Sequence, residues 1–127
     1  MGALGKGNNM LFNTGEFKLH SGEKSNYKID CDALSEEDIN NLAFMIAEKT
    51  YFGKVYAIPQ GGLRLAYALS FYENRSGPIL IADDVLTTGG SMEKAKKLFP
   101  GKEVKGVVIF ARCTPPNWVR AVFTYTL

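Results

Sequence analysis

Two short runs in this chain are apolar without alternation, residues 55–58 (VYAI) and 79–82 (ILIA), and a third, 107–111 (VVIFA), lies inside a longer stretch at 104–111. A strand with one wet face alternates apolar and polar residues. A short continuous run needs apolar cover on both faces, which is the situation of a parallel sheet sandwiched between helices. Segments with helical spacing separate these runs. The pattern predicts an α/β fold with a small parallel sheet in three layers.

The first helix is well signalled. Ser35 is placed to cap it, Asp38 three residues on completes a capping box, and Glu36 and Glu37 suit the positive end of the helix dipole. Ile39, Leu42, Ala43 and Ile46 then form one apolar stripe, and Gly53 reads as the stop. Gly61 and Gly62 open a second helix with Leu65, Ala66, Leu69 and Tyr72 on a shared face. A third starts near Ser91, turns Met92, Ala95 and Leu98 inward and ends at Pro100 and Gly101. A last strand is expected at 119–125, after Pro115 and Pro116 break the third core strand. Ahead of all this, residues 17–20 and 27–30 read as short strands around a turn at 21–25. The expected organisation is one domain over 1–127, with a loose leader at 1–9, a β-flap at 10–34 and a core at 35–127.

Composition narrows the function classes. Of the 127 residues 46% are hydrophobic and 22% charged, which excludes a disordered or collagen-like chain. Fifteen basic residues against thirteen acidic ones leave +2, too even a balance to argue for nucleic acid or a membrane surface as partner. Cys31 and Cys113 are far apart and there is one histidine, so neither a disulfide scaffold nor a structural zinc site is expected. The apolar runs are too short to span a bilayer, and residues 1–9 lack the apolar middle of a signal peptide. A cytoplasmic, reducing setting is the expectation.

The chemistry concentrates after the second apolar run. Asp83 and Asp84 are followed, two residues later, by Thr87, Thr88, Gly89, Gly90 and Ser91 at the start of a helix. Ligands of open α/β sheets bind at the carboxyl ends of strands. Hydroxyls and unpaired backbone N–H groups at a helix start suit a phosphate dianion, and glycines let the backbone come close. The two carboxylates suit vicinal hydroxyls of a sugar, or a Mg²⁺ held between sugar and pyrophosphate. A plain strand-to-helix turn with an Asp cap would explain neither the acid pair nor the glycine pair. Upstream, Gln60, Gly61, Gly62, Leu63 and Arg64 follow the first core strand, where a glycine pair opening a helix again suits an anion.

The Asp-Asp to Thr-Gly-Gly-Ser pattern resembles the phosphoribosyl-pyrophosphate motif of the type I phosphoribosyltransferases, and residues 58–66 look like that family's pyrophosphate loop. Residues 17–30, FKLHSGEKSNYKID, are similar to the segment that forms a hood over the base in the orotate branch. The resemblance runs from about Phe17 to Arg112. It implies a reduced type I fold with the flap as hood. It also implies Mg²⁺-dependent transfer of ribose 5-phosphate between phosphoribosyl pyrophosphate and a nucleobase, an orotate-like pyrimidine by preference, and a homodimer. In that picture Asp83, Asp84 and Arg64 are catalytic, the acids holding the metal only through substrate or water. Residues Thr87 to Ser91 hold the 5-phosphate, Gln60, Gly61, Gly62 and Leu63 face the pyrophosphate, and His20, Lys24 and Arg112 lie near the substrate. The orotate enzymes carry further strands and a mobile loop where this chain has only residues 72–77. The alternative reading is therefore a regulatory protein that binds phosphoribosyl pyrophosphate or a nucleotide with little or no turnover.

Overall fold

The computed structural model describes residues 10–19 and 22–125, which form two compact units divided after Ser35. The first unit holds β1 (Phe12–Lys18) and β2 (Lys24–Ile29), an antiparallel pair whose register slips between Thr14 and Phe17. Both strands are longer than the sequence reading allowed. His20, at the expected flap, lies outside the described residues.

The second unit contains α1 (Glu36–Lys49), β3 (Lys54–Ala57), α2 (Leu63–Leu69), β4 (Ile79–Leu86), α3 (Gly90–Lys96), β5 (Val104–Ala111) and β6 (Val119–Thr124). The four strands form one parallel sheet in the order β3-β4-β5-β6. The expected α/β architecture is the observed one. In α1 the buried residues are Ile39, Leu42, Ala43 and Ile46, the stripe that the spacing marks out.

Side-chain alternation divides the sheet into two apolar faces. On one, Ile81 and Val108 pack with Met92 and Ala95 of α3 and with Val119, flanked by Tyr56, Ile79, Val104 and Trp118. On the other lie Leu80, Ala82, Val107 and Ile109, all at most 1% exposed and covered on the side where α2 packs on β3 and β4 and α1 packs on α2. Gly106 shows how tightly α3 seats: a Cβ there would lie 2.6 Å from Met92 Cε. Trp118 anchors α3. Its Nε1–H donates to Glu93 at 3.0 Å, and Lys96 Nζ sits 4.8 Å from the ring centroid.

Four details differ from the sequence reading. Gly53 is no left-handed helix stop: its φ is not positive, and it is a crossing point where a Cβ would collide with the Gly77 carbonyl. Tyr72 is 42% and Leu98 58% exposed, because α2 and α3 end before the helical stripe reaches them. Finally, β4 does not stop before the acids but runs through them to Leu86. The link from the helical segment to β4 is short. Within it Glu73 turns back to accept the Val55 N–H at 2.8 Å, covering part of the outer edge of β3.

Candidate functional site

Both glycine-bearing turns follow the carboxyl ends of adjacent strands, β3 and β4, and residue packing brings them together. A Cβ on Gly61 would lie 2.5 Å from both carboxylate oxygens of Asp84. The Asp84 carboxylate therefore rests directly against the first turn, and only a bare backbone fits beside it. Gly62 is buried, and a Cβ there would strike the Ala82 carbonyl of β4. The peptide between Pro59 and Gln60 is cis.

Not every amide in this turn is available to a ligand. The Gly62 N–H donates to the Ile58 carbonyl at 2.8 Å and the Leu63 N–H to the Gln60 carbonyl at 3.1 Å. Of the four amides expected to face an anion, the turn itself thus uses two, leaving those of Gln60 and Gly61. Arg64 is half-buried in the first turn of α2.

Asp83 and Asp84 are adjacent near the end of β4, and their carboxyls lie close enough to interact. Their burial differs. Asp83 is 9% exposed, and its Oδ1 accepts the Asp84 N–H at 2.8 Å. Asp84 is half-buried, and its Oδ1 accepts the Val85 N–H at 2.7 Å. Burial, followed by the neighbouring Asp84 charge, pushes the Asp83 carboxyl from 3.8 up to about 7. The residue types alone give no hint of that asymmetry; only the buried register of β4 creates it.

The second turn has the form a phosphate cradle requires. Gly89 caps α3 at φ +88°, a left-handed conformation that glycine adopts without penalty, and no side chain occupies the capping position. Thr88 and Ser91 are exposed, Thr87 is half-buried, and the Gly90 N–H leans toward Thr88 Oγ1 at 3.4 Å. The end of β5 supports this turn from the side. The Arg112 N–H donates to the Leu86 carbonyl at 2.9 Å, and Cys113 Sγ to the Thr87 carbonyl at 3.0 Å. Arg112 is thus fixed at the edge of the cradle. Cys113 is one of its supports. Lys24 opens β2 in the other unit and is exposed.

Among the described residues no three acidic, histidine or cysteine side chains gather as a metal cage. The Asp83–Asp84 pair fits a cation only as a partial shell, completed by ligand and water oxygens, as Mg²⁺ commonly accepts. No helix among the described residues is long and apolar enough to cross a membrane.

Fold and site together define an open α/β protein presenting two glycine turns and a carboxylate pair at one sheet edge. No protein-family model matches the chain, and no curated protein matches it in sequence. Solved structures do. An orotate phosphoribosyltransferase from Aeropyrum pernix superposes with a TM-score of 0.72 at 21% identity, over 93% of this chain and 90% of that one. The Mycobacterium tuberculosis orotate phosphoribosyltransferase gives 0.67 at 19% identity over 89% and 88%, and a purine phosphoribosyltransferase from Pyrococcus horikoshii 0.56 at 20% over 71% and 89%. The fold is that of the type I phosphoribosyltransferases in shortened form.

Proposed function

We propose that this chain binds 5-phosphoribosyl 1-pyrophosphate with Mg²⁺ and transfers ribose 5-phosphate to or from a nitrogenous base, an orotate-like pyrimidine being the first candidate. The observation that carries the reading is the contact between Asp84 and Gly61, because it joins two anion-binding turns at a carboxylate. A phosphorylated sugar with a second anionic group at its far end matches that arrangement.

In the transfer, the bond from the anomeric carbon to pyrophosphate breaks and a bond to a base nitrogen forms. Positive charge builds on the ribose and negative charge on the leaving group. The hydroxyls and amides of residues 87–91 hold the 5-phosphate and fix the sugar in register. Asp83 and Asp84 accept hydrogen bonds from the ribose hydroxyls, and as carboxylates they favour a cationic sugar. The Gln60 and Gly61 amides and Arg64 receive the pyrophosphate. Arg112, beside the cradle, is the candidate for an acidic group on the base. Mg²⁺, when bound, neutralises leaving-group charge, with Asp83 and Asp84 holding it through substrate or water oxygens. The chain acts as a homodimer in this reading, supported by an exposed apolar stripe on α2.

The short 73–78 connection favours a second reading, a phosphoribosyl-pyrophosphate sensor without turnover, since nothing in that segment is long enough to close over a ligand. A coupled assay for pyrophosphate release with a base panel, run beside calorimetry with phosphoribosyl pyrophosphate, separates the two. Turnover that Asp84→Asn abolishes supports the enzyme. Binding without turnover for every base supports the sensor, and no binding at all overturns both.

A further inference from the structure

At the amino ends of the strands, roughly 23 Å along β4 from the phosphate cradle, lies a second recess of about 630 Å³. Its floor and walls come from the starts of β3 and β4, the 75–78 link and the turn before β5. Lys54, Arg75 and Lys102 line it against one carboxylate, Glu103, an excess of two positive charges. Among the described residues no carboxylate holds any of these three cations. Like charges gathered without partners favour an anion.

The remaining wall is aromatic. Tyr56 and Phe99 meet edge to face with centroids 5.3 Å apart, and both are half-buried. The volume falls within the range of small-molecule sites. A free inorganic anion would use the cations and leave the rings wet. An extended polyanion would need a track of basic residues, whereas Glu103 interrupts this group. A phosphate monoester carries about two negative charges at neutral pH, matching the excess, and a planar base has the face that the aromatic wall accepts.

We propose that this recess is a second binding site, for a nucleoside monophosphate, with the phosphate on Arg75, Lys102 and Lys54 and the base on Tyr56 and Phe99. The site stands independently of any activity at the cradle. At 14.0 kDa the full chain suits amide-resolved NMR. AMP and UMP are titrated while excess ribose 5-phosphate occupies the cradle, with inorganic phosphate as the comparison probe. The expected result is a saturable shift of the Gly77, Gly101 and Lys102 amides that persists under ribose 5-phosphate. In Arg75→Ala/Lys102→Ala the affinity falls at least ~10-fold, while the response of residues 87–91 to ribose 5-phosphate is unchanged. Both side chains are exposed, the amide spectrum reports directly whether the fold is kept, and Lys102→Glu alone must weaken binding in the same direction. Shifts confined to residues 87–91 overturn the proposal. So does inorganic phosphate binding as tightly as the nucleotides, or a response that never saturates at physiological salt.

Discussion

The hydrogen atom on the Gly61 α-carbon is all that the Asp84 carboxylate leaves room for, since a methyl group there would meet both oxygens at 2.5 Å. Gly61 is itself exposed, so a substitution need not disturb the core. Gly61→Ala is therefore expected to keep the melting temperature within a few degrees and to displace Asp84. Affinity for phosphoribosyl pyrophosphate, read by calorimetry, should fall ~10-fold or more, the size of one lost charge-assisted contact. Asp83 offers a test by pH. Its carboxyl titrates near 7 when folded against 3.8 when unfolded, so the folded chain binds the proton more tightly. Without ligand, stability should decline as pH rises from about 4 to about 7 and then level off. Ribose hydroxyls donate more strongly to the ionised form, so ligand binding favours loss of this proton and tightens between about pH 6 and pH 8. Asp83→Asn should flatten the stability slope, raise the melting temperature by ~3 °C or more above pH 7 and weaken ribose 5-phosphate binding. A melt and a titration across pH, each compared with wild type, check both halves. The pair and its cradle are legible in sequence because their residue types are specific. The division of labour between the two acids is not, because it depends on how deeply the fold buries each one.

Elements were legible where spacing alone decides them and illegible where length does. The apolar stripe of α1 and the bounds of β5 can be read directly, since both are saturated with apolar positions. The expected stripes of the other two helices overran, reaching Tyr72 and Leu98, because periodicity continues on paper after the helix has stopped. Adjacent acids suggest the end of a buried strand, yet β4 passes through them, and that continuation presents Asp84 to Gly61. The crossovers carry a further consequence of the short link. The sheet order steps the same way from β3 to β4 as from β4 to β5, while α2 and α3 cover opposite faces. Two such connections cannot share a hand, although about 98% of parallel crossovers are right-handed. The close passage of residues 52–53 against 74–77 holds this unusual route. The Gly53 N–H donates to Pro78 O at 2.7 Å and the Asn74 N–H to Phe52 O at 3.1 Å. A Cβ at Gly53 would also come within 2.8 Å of the Asn74 carbonyl. Gly53→Ala should cost about 2–3 kcal/mol in urea unfolding, the scale of an overpacked site, and should raise the sensitivity of the 73–78 link to proteolysis.

At the scale of the molecule, the outer face of α2 and of the 3-10 turn after it, Ser70–Tyr72, carries exposed apolar side chains. Leu63, Tyr67 and Phe71 recur every four residues and are 50%, 71% and 73% exposed. Tyr67 and Phe71 stack edge to face with centroids at 5.3 Å, so the stripe is already organised before anything docks on it. With an aromatic side chain able to bury on the order of 200 Å², the two rings and the leucine offer roughly 350 Å² per copy. A stable interface takes about 800 Å² per partner. The stripe alone is under half of that. On α1, which packs against α2, Phe44 and Met45 are 53% and 49% exposed and supply further apolar surface on the same layer. A two-fold contact centred on α2 is self-complementary by construction, because the same stripe meets itself. A homodimer formed through this face is therefore expected to be reversible, with dissociation at micromolar rather than nanomolar concentration. Sedimentation over a dilution series should show the monomer–dimer shift, and Tyr67→Lys/Phe71→Lys should abolish it without lowering the melting temperature of the monomer, since both side chains lie outside the core. A chain that stays monomeric at every concentration, or a double variant that still dimerises, rules out this face as the contact. The sequence could not have located the stripe: its residues read as ordinary helix content until the structure shows which face of α2 the sheet has taken.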